Sequence, residues 1–116
     1  MSVQGFVRLP RGSATISGEL VVAVEDVSFA DAEAQVLTEF STLISQGDWQ
    51  ISDAGHSFEF EIEVPDDRTS YRRLVLSARV YCGGRNALTT GDALTIDSQP
   101  LPENELQTVA LDLKIL

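Results

Sequence analysis

Residues Ser57 to Val64 alternate without interruption. Phe58, Phe60, Ile62 and Val64 fall on one parity, and Ser57, Glu59, Glu61 and Glu63 on the other. A period of two belongs to a strand with one buried and one wet face. Wound as a helix, the same residues would spread their carboxylates around the whole circumference. A chain built round such a segment is expected to be an antiparallel β domain.

The rest of the sequence extends that expectation. Val3 to Leu9 reads as a first strand, with Val3, Gly5, Val7 and Leu9 on one parity, and Pro10 to Ser13 as a turn. Thr15 to Val27 reads as a second strand. Leu20, Val22 and Val24 face one way and Val21 and Ala23 the other, so both faces are apolar. Such a strand is either central and covered on both sides or paired at a subunit contact, a sheet-mediated homodimer. Ser28 to Gln35 suits a short helical turn or a polar loop, and the loop is preferred, leading into a strand over Gln35 to Phe40. Ser41 to Ile51 is less regular, with a turn at Gln46 to Asp48, and Asp53 to His56 is a further turn.

Pro65 to Ser70 reverses the chain. Tyr71 to Cys82 is the longest expected strand, with Leu74, Leu76, Ala78, Val80 and Cys82 inward. Paired with the preceding strand, it would set Arg73 and Arg79 across from Glu59, Glu61 and Glu63. Gly83 to Asn86 signals a tight hairpin turn. Short strand pieces follow at Ala87 to Thr90 and Ala93 to Asp97, then a loop over Gln99 to Asn104. A last strand runs from Thr108 to Leu116, with Val109, Leu111, Leu113 and Ile115 inward. About seven strands with regular turns predict an all-β, two-sheet antiparallel β-sandwich, with a small β-barrel as the alternative.

At 116 residues the chain is expected to form a single domain over residues 1–116. Its net charge is −10, from 18 acidic and 8 basic residues. That field repels phosphate backbones and anionic lipid, which argues against nucleic acid and membrane surfaces as partners. No apolar run is long enough to span a bilayer. Cys82 is the one cysteine, so no internal disulfide is possible, and its parity predicts a buried, inert thiol. The start lacks the charged and apolar regions of a secretion signal. A cytoplasmic protein is expected if Met1 is the native start, and a periplasmic or outer-membrane-associated one if the chain was trimmed.

Residues for catalysis are scarce. His56 is the one histidine, placed in a turn beside Gly55, and no Gly-x-Ser-x-Gly elbow is present. Strand spacing lays the three glutamates in a flat row, which makes no metal cage. Asp66 and Asp67 lack the looped ligands of a calcium site, and Gly83-Gly84 lacks a phosphate-loop signature. Neither catalytic residues nor a cofactor are expected. Three aromatics are the candidates for interaction: Trp49 just after a turn, Phe29 in the Ala/Asp-rich loop, and Tyr81 facing outward. For Trp49 and Phe29 the competing reading is structural, as plugs over the end or gaps of the sandwich.

The segment Leu20 to Ala32, an apolar strand followed by Asp-Val-Ser-x-Ala-Asp-Ala, resembles the YbaY/YscW-like family. These are small lipoproteins related to the chaperone, or pilot, of type III secretion. Val3-Gln-Gly-Phe-Val7 resembles the family's early strand, and Phe58-Glu-Phe-Glu-Ile62 its Phe-rich middle strand. Tyr71 with Leu76-Ser-Ala-Arg-Val80, a Gly turn and Ala87-Leu-Thr-Thr90 resembles its Tyr-x-Leu-x-Ala-Arg-Val strand and hairpin. The resemblance implies a β-sandwich without enzymatic activity that binds another protein, such as a secretin or envelope component. Strand addition at an exposed edge is one mode for such binding. The start as given shows neither the signal peptide nor the lipid-bearing cysteine of the family, so either a trimmed chain or a soluble relative with a different role is expected. A small-ligand or glycan-binding module, with Trp49 and Tyr81 as stacking platforms, is the alternative function.

Overall fold

The computed structural model describes residues 2–27, 35–52, 55–64, 73–85, 87–101 and 107–116. Their strands are β1 (Ser2–Leu9), β2 (Gly18–Asp26), β3 (Gln35–Ile44), β4 (Gln50–Ser52), β5 (Gly55–Glu63), β6 (Leu74–Tyr81), β7 (Ala93–Thr95), β8 (Gln99–Pro100) and β9 (Thr108–Ile115). A single 3₁₀ turn, Gln46–Asp48, links β3 to β4.

The strands join in the order β3-β2-β6-β7-β9-β1-β5-β4, with β8 paired to β6 off that path. The sheet curls into a half-barrel. The all-β expectation holds, and the curl corresponds to the barrel alternative left open on one side. The sheet is not wholly antiparallel, because β1 and β9 run parallel, with Gln4 beside Thr108 and Arg8 beside Asp112. β9 pairs antiparallel with β7 on its other side, which makes it the join between the two halves of the curl.

The alternating residues fill the inside. Val3, Val7 and Leu9 of β1 meet Leu20, Val22 and Val24 of β2 and Leu76, Ala78 and Val80 of β6 in one core. Ile62 and Phe60 of β5 and Val109, Leu111 and Leu113 of β9 join it. Full burial of each large side chain contributes about 1.5–3 kcal/mol. Gly5 lies opposite Phe60. A Cβ at Gly5 would sit 2.7 Å from the tip of the Phe60 ring and 2.5 Å from the Val109 carbonyl oxygen. A strand glycine is required where a ring and a neighbouring backbone come this close.

Several local expectations change. β5 pairs with β1, not with β6, so Glu59, Glu61 and Glu63 lie beside Phe6, Gln4 and Ser2. Arg79 lies instead between Val21 of β2 and Leu94 of β7. β5 and β6 are therefore not neighbours, and Arg79 does not face the glutamates. Gly55 and His56, expected in a turn, begin β5. The Gly83–Gly84 turn is not a tight hairpin, since β6 and β7 pair through Val80 and Ala93, leaving a longer loop between them. The described residues of Ala87 to Thr90 form no strand. Ile115, expected inward, is exposed where β9 runs past the core. The segments 28–34 and 65–72 lie outside the described residues.

Candidate interaction surface

The three aromatic candidates separate. Trp49 follows the 3₁₀ turn, whose start is fixed by Asp48. The Asp48 carboxylate accepts from the Ser45 backbone N–H at 2.7 Å and from the Ser45 hydroxyl at 2.9 Å. Those bonds hold the Asp48 carboxyl below its ordinary pKa. The turn drives the indole inward, to 5% exposure. Its Nε1–H donates to the Ile16 carbonyl at 2.7 Å, and its ring meets Phe58 edge-on at 6.3 Å. Trp49 thus fastens β5 to the link between β1 and β2, and the structural reading is the one its surroundings support. Phe29 lies outside the described residues. Tyr81 is half-buried on the outer face of β6, far in character from the core position of Trp49, so the two do not form a joint stacking platform.

Around Tyr81 the outer face of β3, β2 and β6 forms a shallow depression of about 310 Å³. Val21 and Ala23, each 6% exposed, make its floor. β2 is therefore the central strand of its half, apolar on both faces for that reason. Arg85 reaches across from the β6–β7 loop, with its guanidinium 2.9 Å from Glu39 of β3 and 3.5 Å from Glu19 of β2. Arg79 donates to the Tyr81 hydroxyl at 3.3 Å, and Ser77 donates to Glu25 at 2.6 Å. The result is an apolar floor beneath a net of polar groups, with Glu19, Glu25 and Glu39 around it.

Asp92 positions the loop that carries Arg85. It is 1% exposed. One carboxylate oxygen accepts from the Cys82 N–H at 2.8 Å and the other from the Thr89 N–H at 2.9 Å. These bonds hold its carboxyl below the usual range, because each favours the charged form. Cys82 itself is exposed, contrary to the parity expectation. β6 ends at Tyr81 and the backbone turns at Gly83, so strand alternation no longer applies there. Partial desolvation, with the Asp92 charge beside it, pushes the thiol pKa up. A thiol held protonated is a poor nucleophile.

His56 shares the inward parity of Phe58, with its Nδ1 buried and without a hydrogen-bond partner. Among the described residues no cluster of three His, Cys, Asp or Glu side chains is arranged to hold a metal ion. Asp66 and Asp67 lie outside the described residues.

The residues that the sequence reading missed are those on β3. It is an end strand of the sheet, and among the described residues only β2 pairs with it. Val36 and Leu43 project from it into solvent, Leu43 at 80% exposure. A ten-residue strand with one charged residue, and with neither lysine nor proline, was the available signal.

No family model and no curated protein matches the chain. Among solved structures, its fold is similar to that of an alternative pilotin from the type II secretion system of Vibrio cholerae. The TM-score is 0.70 at 21% identity, over 100% of this chain and 96% of that one. At that identity the likeness establishes the fold.

Proposed function

We propose that this chain is a non-enzymatic pilot or chaperone-like protein that binds another protein, a secretin subunit or another secretion or envelope component. The full-length structural likeness to a pilotin carries this reading. The resemblance to YbaY/YscW-like lipoproteins read from Leu20 to Ala32 and from the Phe58 and Tyr71 segments points the same way, while no family model matches the chain. Fold alone does not define a function, so the long unguarded edge of β3 matters as a second support. A secretion partner implies that the protein works at the periplasmic face of an envelope.

The test is capture on the immobilised chain from an extract of the source cells, with competition by free protein and mass spectrometry of what is displaced. Specific recovery of a secretin or secretion subunit is expected. Recovery of no secretion or envelope protein, with the chain shown to be folded, overturns the proposal.

A further inference from the structure

The two edges of this sheet are protected unequally, and the difference points to where a partner attaches. Natural sheets blunt exposed edges with charges, prolines or very short strands, because unpaired backbone groups recruit other strands. The β4 edge is short, Gln50–Ser52. Beyond it, β5 pairs with no described strand on that side from Phe58 to Ile62, and Glu59, Glu61 and Glu63 lie on its exposed face, the last two accepting from the Ser2 hydroxyl of β1. β3 carries no such protection. Its one charge, Glu39, is bound by Arg85. A register shift near Val24 and Glu25 distorts its first residues, but from Thr38 to Ile44 it pairs with β2 in unbroken register. Along that run its far side pairs with no described strand.

We propose that the Thr38–Ile44 edge of β3 receives an extended segment of a protein partner as an added strand, and that this segment alternates apolar with basic residues. The inward positions of β3, Thr38, Phe40 and Thr42, are half-buried, and Phe40 packs on the core. Apolar side chains of an added strand would extend that core. On the outer face the strand would meet Leu43, with Glu19 beside it in register, and then Glu39. Lysine and arginine fit both, since the aliphatic stem covers Leu43 while the cation reaches the carboxylates. The chain's net charge of −10 favours the same sign. The inference rests on the protein-binding reading above and gives it a place and a chemistry.

The probe is a peptide of about ten residues alternating valine and lysine, compared with its valine–glutamate counterpart and with a backbone N-methylated valine–lysine version. Amide hydrogen exchange and chemical shifts of the full chain are followed by NMR. At saturation the valine–lysine peptide is expected to slow exchange within residues 38–44 by about tenfold or more. Its affinity should fall as salt rises, and the other two peptides should bind at least about tenfold more weakly. Leu43→Lys, at a solvated position, should weaken binding similarly without altering the fold. Absence of binding, protection centred on β5, or equal binding of the valine–glutamate peptide overturns the inference. The two proposals fail separately. A Leu43→Lys chain that still captures its secretion partner removes the edge and keeps the pilot. A peptide seated on β3 without any secretion partner does the reverse.

Discussion

β3 and β5 carry the two open sides of one curled sheet, and their sequences treat the same physical hazard in opposite ways. β5 sets a glutamate at every outward position from Glu59 to Glu63, so a second strand approaching it meets a line of carboxylates. β3 sets Glu39, Ser41 and Leu43 there, and Arg85 neutralises the one acid. Charge on an edge costs little stability and prevents association. Its omission on one edge only, in a chain with 18 acidic residues, shows that acidity is distributed by position and not spread evenly.

The strongest way to break this comparison is to release the corner that ties the two sides. Trp49→Ala removes a buried indole that reaches Phe58 and the Ile16 carbonyl, and should cost about 3–5 kcal/mol in urea denaturation. A loss below about 1 kcal/mol would show that the indole is not the fastening.

Asp92→Ala should cost about 2 kcal/mol, since it leaves two backbone donors unmet in a closed site. The pH dependence has a definite sign. The folded Asp92 carboxyl lies below its ordinary value of 3.8, so its contribution is complete above that pH. It is lost as the pH falls further, through the folded pKa. Stability measured between pH 5 and pH 2 should fall less steeply in Asp92→Asn than in the parent chain.

Exchanging the edge chemistry sharpens the contrast at smaller cost. Glu59→Thr with Glu61→Thr should change stability by about 0.5 kcal/mol or less. The doubly substituted chain should self-associate with rising concentration in sedimentation velocity, because its second edge is then unguarded. Sedimentation indistinguishable from that of the parent chain at all concentrations would show that the glutamates are not guards. The smallest effect is expected from Arg85→Ala. Its ion pairs with Glu39 and Glu19 are solvated, and exposed pairs contribute little. The denaturation midpoint should hold while hydrogen exchange in β3 quickens.

The strands were largely legible because burial on one face writes a period of two, as in β1, β5 and the first part of β9. Their neighbours were not. Alternation in Phe58 to Val64 states that a face is buried but not which strand lies alongside, so the pairing of β5 with β1 could not be read locally. Parity also failed where strands ended, at Cys82 and Ile115. Tyr81 was legible as outward because it lies within a regular strand. For Trp49 the sequence offered both a contact and a structural plug, since one aromatic after a turn carries no period, and the structure buries it. The edge position of β3 depends on the order of strands in space, for which its composition was only a hint.

The parallel seam between β1 and β9 sets a kinetic requirement. Gln4 finds Thr108 across almost the whole chain, and among the described residues β1–β9 is the strand pairing that joins the half containing β1 and β5 to the half containing β2, β3 and β6. Closing so long a loop before any contact rewards it slows folding. Until it closes, each half is a separate sheet with an additional unsatisfied edge. A nascent chain therefore passes through a period of vulnerability to aggregation, whose length is set by when β9 becomes available to β1.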